Sequence, residues 1–545
     1  MFTAERVNEY RNFPKIDFLV IDEFYKLSGR RDDERSSSLN NALYYILKEF
    51  NCKFYLLGPN IDNISEGFVE RFNAIFFKSR YSLVDSKPID IYKEYEGKFG
   101  DRGEKKVFKE SVLFNLLYSL RDEQTIIYCS SPSRVRELSK KYSIFLQNKE
   151  GKEGDKAFPL NEWIRTFVTD DWCVLTNLNY FIGIHDGALQ KHISTTIIDY
   201  FNQGKLKYLF CTSTIIEGVN TSTKNIVYFD SKKGGKPIDF FDYSNIKGRA
   251  GRMMEHYVGK IYNFNLPPNN ELIVIDIPFY EQNPIKDEIL IQLDESEVRN
   301  LNSTQYQEIN KIPPAEREII KQNGANVHGQ KSIFDILWFD INTKYELLNW
   351  NLPTYNQLQY IIDLAWDNLL MDGETTAPMT KNRLVKMTFD YGSNKDINFL
   401  IRSHYSYIKG LEKNKSVLES DLKDLSIQEV FQIMKHWFEY KVPKWLSVMN
   451  EIQRYVCLRK GLRPGNYIYY ANLIENDFLR ENLAILSEYG VPSSAIRKIE
   501  KYIPADINQD DVLDYIRDRK VYNAKELLQY ERSKLEENIN LYNLL

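Results

Sequence analysis

Residues 18–27 read FLVIDEFYKL: four apolar residues run straight into two adjacent carboxylates, Asp22 and Glu23, and then into aromatics. The apolar run has no wet face, so it reads as a strand of a buried parallel sheet, with its acids at the strand's C-terminal end. That end is where open α/β sheets place their ligands. In an α/β nucleotide hydrolase, an aspartate here orients magnesium through water and the next glutamate polarises the attacking water. Taken alone the pair does not decide the matter, because a strand that simply ends in solvated acids is commoner.

The same texture continues outward from this stretch. Short β-rich runs (CKFYLLG at 52–58, TIIYCSS at 125–131, YFIGIHDG at 180–187, LKYLFCTS at 206–213, KNIVYFD at 224–230) alternate with helical ones such as SLNNALYYILKEF at 38–50 and HISTTIIDYFNQG at 192–204. The alternation predicts parallel sheets covered by helices, in two α/β units at about 1–95 and 105–270. The charged stretch between them, KPIDIYKEYEGKFGDRGEKK from Lys87, reads as a hinge. Beyond about residue 275 the period becomes helical. In SIQEVFQIMKHWFEY, Ile427, Val430, Phe431, Met434, Trp437 and Phe438 share one face, a core stripe, and Ser426 with Glu429 spells a capping box. The fold class is therefore α/β followed by all-α.

A chain of 545 residues is too long for one core and should divide into about three or four domains. A net charge of -4 excludes bulk attraction to a polyanion, so any nucleic-acid surface must be a local patch. The five cysteines are scattered with no C-x-x-C pair, which argues against zinc and disulfides and fits a reducing cytoplasm. No run of about 18 apolar residues suggests a membrane span.

A second signal comes from SNIKGRAGRM at 244–253, where Arg249 and Arg252 stand one helical turn apart. Two guanidinium forks aimed together suit a triphosphate, and the flanking Gly248, Ala250 and Gly251 permit close backbone approach. With these residues in view, the chain resembles the superfamily-two helicases of the DEAD/DEAH-box group, specifically their superkiller-like branch. VIDEFYKL is similar to motif II and NIKGRAGR to motif VI. TIIYCSSPSRVREL looks like motif IV, FCTSTIIEGVNTSTKNIV like motif V, and FIGIHDGALQKHI like the glycine and histidine segment before it. The opening FTAERV resembles motif Ib, with Ala4 in the place of a proline.

The resemblance implies two RecA-like domains closing on ATP and Mg2+. Asp22 and Glu23 serve catalysis and the metal on one side, and Gly218, Asn220, Arg249 and Arg252 hold the nucleotide on the other. It also implies a nucleic-acid strand, DNA or RNA, touched by Thr3 and Arg6 in the first domain and by Ser131 and Thr212 in the second. Between motifs V and VI, YFDSKKGGKPIDFF reads as a hairpin around Gly234-Gly235. In this branch such a hairpin splits the duplex, and Lys232, Lys233 and Lys236 would charge its tip. An exposed lysine-bearing turn needs no function, and the two readings weigh about equally. After motif VI the branch carries a winged helix and a ratchet-like helical bundle, so region 275–545 is expected to act as an accessory to the strand. Members of the branch serve phage defence, the Hachiman system among them, as well as repair and RNA turnover.

Three departures qualify the resemblance. The phosphate cradle G-x-x-x-x-G-K-[ST] that partners a magnesium-holding aspartate is absent, and HGQKS at 328–332 is no substitute. The expectation is a chain cut at motif Ib, with the first RecA-like domain incomplete, core surface exposed and hydrolysis weak. Its missing segment would be a separate N-terminal helicase fragment, and a defence-system protein is a second expected partner. LLGPNI at 56–61 stands where motif III reads Ser-Ala-Thr, and Asn245 replaces the motif VI glutamine. A non-catalytic adaptor derived from a helicase is the alternative. A small GTPase fits the acids but leaves GRAGR unexplained. LSEYGVPSSAIRKIEKYIP at 486–504 distantly resembles a helix-hairpin-helix, though with only Gly490 in its turn ordinary helix capping is the better reading.

Overall fold

Strands dry enough to be buried on both faces pair in parallel, because each is followed by a helix that carries the chain back across the sheet. The computed structural model describes residues 2–10, 12–31, 35–79, 84–151, 157–215, 223–251, 257–371 and 373–542. In it β1 (Phe18–Ile21) pairs in parallel with β2 (Lys53–Leu56), with Ile21 opposite Leu56, and the helix Ser36–Phe50 links them. These strands belong to a first unit made of residues 1–80, 271–389 and 441–471. The same unit holds a second short parallel pair, Asn63–Ile64 with Val274–Ile275. Phe18, Val20 and Tyr55 of β1 and β2 are 56%, 52% and 56% exposed, so this sheet shows apolar surface to solvent.

The second unit comprises residues 81–270, 390–440 and 472–545. Its six-stranded sheet contains β3 (Asp85–Ile89), β4 (Thr125–Tyr128), β5 (Ile182–His185), β6 (Tyr208–Cys211), β7 (Asn225–Tyr228) and β8 (Val258–Asn263). The order is β3-β8-β7-β4-β6-β5, and every pair is parallel. All residues of β4, β5, β6 and β7 are buried, as their apolar runs require.

The stretch expected as a hinge is not one at its start. Lys87, Pro88 and Ile89 lie in β3, the edge strand beside β8, and Asp90 accepts a hydrogen bond from Asn263 Nδ2 at 2.9 Å. A half-exposed edge strand carries charge and tolerates proline, so it reads like a linker.

The region after residue 275 is largely helical, and its helices are divided between the two units. The stripe from Ile427 to Phe438 is buried at all six positions. The capping box does not form: the helix begins at Glu419, so Ser426 lies inside it, buried, with its hydroxyl donating to the Ile401 carbonyl. Glu429 instead receives His404 at 2.7 Å. Gly490, at φ 86°, follows the C-cap of the helix Glu481–Glu488 and precedes Ser493–Ile499, as ordinary capping predicts.

The last helix, Gln529–Tyr542, is locked to the sheet's own helices. The Tyr530 hydroxyl lies 3.1 Å from His192 Nδ1 and 2.9 Å from Thr196 Oγ1, and Trp163 packs edge-on to His192 at 4.5 Å. Gln190 Oε1, 2.9 Å from Nε2, accepts that proton, so the neutral ring is satisfied at both nitrogens. Burial, reinforced by the Lys534 charge, pushes His192 down to about 3, and burial pushes His185 down to about 4 against the pull of Asp186. Both imidazoles stay neutral in the fold while the unfolded chain protonates them near 6.5. Their contribution is full above that pH and is lost as pH falls toward 4 and then 3. We expect thermal denaturation to show the second unit losing stability from pH 6.5 downward, at about 1.4 kcal/mol per pH unit for each histidine. His192→Gln should flatten that slope.

Candidate functional site

The two acids of the opening stretch sit where β1 ends. Asp22 is exposed, and its Oδ1 accepts the Glu23 N–H at 2.9 Å. Glu23 adopts a left-handed backbone, φ 57° and ψ 40°, uncommon for a non-glycine residue and concentrated at functional turns. Its Oε2 is gripped by Lys26 Nζ at 2.6 Å, with the two side chains 22% and 12% exposed. The loop after β2, at the motif III position, flanks the pair directly. Leu57 N–H donates to the Ile21 carbonyl at 2.8 Å, and Phe24 N–H donates to the Leu57 carbonyl at 3.0 Å. The contact is made by backbone, so it survives the loss of the motif's hydroxyls. Downstream, Asp276 accepts from Ser28 Oγ and from the Gly29 N–H, and the Leu27 carbonyl accepts from Ser36 Oγ and Asn40 Nδ2, both at 2.8 Å.

A pair of carboxylates suffices for Mg2+, which keeps waters and takes phosphate oxygens rather than a protein cage. Among the described residues no group of three or more His, Cys, Asp or Glu gathers for a metal. Asp22 and Glu23 therefore fit that ion. A triphosphate finds less here, since no phosphate-cradle sequence occurs in the 545 residues.

Thr3 and Arg6 flank the start of the helix Ala4–Glu9, with Thr3 Oγ1 accepting from the Arg6 N–H at 3.3 Å. Asn8 Nδ2 ties this helix to the Ser38 carbonyl at 2.9 Å, and Val7 packs with Ala42 and Ile46.

In the second unit, Ser131 caps the helix Pro132–Glu150, its Oγ accepting the Arg134 N–H at 3.3 Å. Arg134 is itself held among Glu110 and Glu137, each at 2.8 Å, and Asp230 at 3.6 Å. Burial pushes Glu137 up, but Lys106, Lys141 and Arg134 outweigh it and hold it down at about 2. Thr212 follows β6 and is only 7% exposed. Its hydroxyl lies 3.1 Å from Thr214 Oγ1, which in turn lies 3.2 Å from His185 Nδ1.

Arg249 stands just past the helix Phe240–Lys247, partly exposed, on a loop clamped from two sides. The Thr223 N–H donates to the Arg249 carbonyl at 3.2 Å, and the Gly251 N–H donates to the Thr223 carbonyl at 2.7 Å. From the sheet, β8 offers Gly259, where an added Cβ would fall 2.3 Å from the Ala250 carbonyl carbon and 2.4 Å from Gly251 N. Only a residue without a side chain lets this loop lie on the sheet. Asn245 is buried on the same helix, at 8% exposure. Gly218, Asn220 and Arg252 lie outside the described residues.

The expected hairpin forms from Lys232–Lys233 and Lys236–Pro237, paired antiparallel around Gly234-Gly235. All three of its lysines are exposed.

One surface escaped the reading of the sequence. Arg454, Arg459, Lys460 and Arg463 are exposed and make no ion pair with a described residue. Lys460 Nζ stands 4.1 Å over the Trp338 ring and Arg459 stands 5.4 Å over Tyr455. Trp338 and Phe339 beside them are 41% and 80% exposed. The signal was present: no Asp or Glu occurs between Glu451 and Glu475, a local charge that the net of -4 conceals.

Residues 109–254 match the helicase conserved C-terminal domain. The chain is 29% identical over 545 residues to anti-bacteriophage protein B of Escherichia coli (strain K12), covering 95% of this chain and 71% of that protein. It is 24% identical over 255 residues to the ATP-dependent DNA helicase Hel308 of Pyrococcus horikoshii, 45% of this chain and 34% of that helicase. It is 35% identical over 83 residues to the exosome RNA helicase MTR4 of Homo sapiens, 14% of this chain and 8% of that one. The chain thus carries a superfamily-two helicase C-terminal domain and is related to the superkiller-like helicases and to an anti-phage protein.

The clamp on the motif VI loop makes a direct prediction. Gly259→Val should cost at least about 2 kcal/mol in urea unfolding, because neither the strand nor the loop backbone can yield.

Proposed function

We propose that this chain, built around a superfamily-two helicase C-terminal domain, is the strand-gripping body of an ATP-driven nucleic-acid translocase or helicase. The observation that carries the reading is the motif II turn, Asp22 and Glu23 at the end of β1 with the Leu57 loop hydrogen-bonded to both sides of it. When bound, Mg2+-ATP supplies the phosphoryl group to be transferred. Asp22 would hold the ion through its water shell, and Glu23, its Oε2 held by Lys26, would leave its other oxygen to polarise a water. By the resemblance Arg249 would offset the charge that develops on the phosphoryl group; the other positions expected to hold the nucleotide, Gly218, Asn220 and Arg252, lie outside the described residues.

The strand contacts expected from the resemblance are Thr3 and Arg6 in the first unit and Ser131 and Thr212 in the second, and contacts of this kind are mostly to phosphates, hence salt-dependent and sequence-tolerant. The exposed cations at 454–463, which make no ion pair with a described residue, and the rings of Trp338 and Phe339 suit the same ligand, phosphates on the cations and bases on the rings. The protein works in the cytoplasm. Likeness to the anti-bacteriophage protein supports a role in defence against phage, with an N-terminal helicase segment or a defence-system protein as its partner.

Hydrolysis by these 545 residues should be slow, since the phosphate cradle is not among them, and stimulated by single strand. Glu23→Gln and Arg249→Ala should each lower strand-stimulated turnover by about 100-fold or more. A second reading, the non-catalytic adaptor, is favoured by the absent cradle. Strand binding intact with no turnover in the parent protein would replace the first reading by the second. Arg459→Ala/Lys460→Ala/Arg463→Ala should weaken oligonucleotide binding and lower the slope of log affinity against log salt by about 2. Unchanged anisotropy titrations would remove that surface from the strand's path.

A further inference from the structure

We infer that the hairpin at 232–237 is a fixed phosphate grip rather than a duplex-splitting wedge, an inference that rests on the strand-binding reading above. A wedge that acts by entering the stack between base pairs carries an apolar or aromatic group at its tip. This hairpin has two residues in each strand, a reach of about 7 Å along each. Its tip is Gly234-Gly235, with φ 60° at Gly234, and a Cβ at either glycine would meet nothing within 4 Å. No ring or aliphatic side chain stands at the point where one would have to act.

The hairpin is also tied down. Gly234 N–H donates to the Ser130 carbonyl at 2.8 Å, and the buried Tyr128 hydroxyl donates to the Lys232 carbonyl at 3.0 Å. Ser130 N–H in turn donates to Asp230 Oδ2 at 2.9 Å, so the segment before the hairpin and the end of β4 hold each other reciprocally. Lys233 Nζ lies 3.6 Å from Asp242 Oδ1, which leans that side chain back toward the helix that precedes Arg249.

These ties seat three exposed lysines beside Ser131, the N-cap of the helix Pro132–Glu150. The arrangement presents fixed positive charge to a passing phosphate backbone and offers a base pair nothing to stack upon. Tyr128 is the positioning residue: it touches no nucleic acid and acts through the Lys232 backbone. On this inference the chain tracks one strand, and duplex is opened, if at all, by exclusion of the other strand from that track.

The test is fluorescence-anisotropy binding of a single-stranded oligonucleotide across a salt series, with forked-duplex unwinding measured in parallel. Lys232→Ala/Lys233→Ala/Lys236→Ala should bind about tenfold more weakly and lower the salt slope by about 2, three contacts at ~0.7 each. Tyr128→Phe keeps the buried ring and loses only the anchor, so it should weaken binding by a smaller factor with the salt slope unchanged. A triple variant with parental affinity and salt slope would overturn the grip, and impaired unwinding in that variant would favour a wedge. Absence of strand binding in the parent protein would overturn the strand-binding reading and the grip with it.

Discussion

Parallel pairing places the C-terminal ends of all strands in a sheet on one edge, and the candidate residues that follow strands are brought together by that constraint. In the first unit it brings Asp22 and Glu23, after β1, beside the loop that follows β2, and Leu57 closes the gap with two backbone hydrogen bonds. In the second it gathers Ser130 and Ser131 after β4, Thr212 after β6 and Asp230 after β7. Residues far apart in sequence therefore become neighbours without a dedicated scaffold, and the hairpin ties to Ser130 are one consequence.

What the chain's text revealed, and what it hid, divides along the same physical line. Strands buried on both faces announce themselves as apolar runs, so β4 to β7 are legible, as is the Gly-Gly hairpin, whose turn needs a positive φ; β1 and β2 carry the same apolar pattern although Phe18, Val20 and Tyr55 leave one of their faces exposed. β3 was read as a hinge because an edge strand is half solvated and can keep Lys87 and Pro88. The capping box at Ser426 failed for the opposite reason: local pattern matched, but tertiary packing buried that serine inside a longer helix and gave its hydroxyl the Ile401 carbonyl. The basic surface at 454–463 was invisible to a net charge that averages it with acids elsewhere.

The histidine-bearing segment before motif V shows how one stretch can serve two levels at once. His185 lies at the end of β5, within reach of Thr214, while His192 turns into the interior and holds the last helix through Tyr530. The C-terminal helices of the second unit are thereby fastened to its sheet. Helix Glu419–Ile433 adds a further tie, with Asp424 accepting the Cys173 N–H at 2.9 Å and Lys140 at 3.3 Å. The helices of the second unit are thus packed into the body that carries Ser131 and Thr212, and a change in them can reach those residues through packing alone.

The most direct test of an ATP-driven, strand-gripping machine is whether nucleotide changes the grip. Affinity for a single-stranded oligonucleotide should be measured with and without a millimolar non-hydrolysable ATP analogue and Mg2+. A helicase engine predicts a shift of about fivefold or more, abolished by Asp22→Ala and by Arg249→Ala. Identical affinities in the two conditions would contradict the account and leave a nucleotide-blind binding protein in its place.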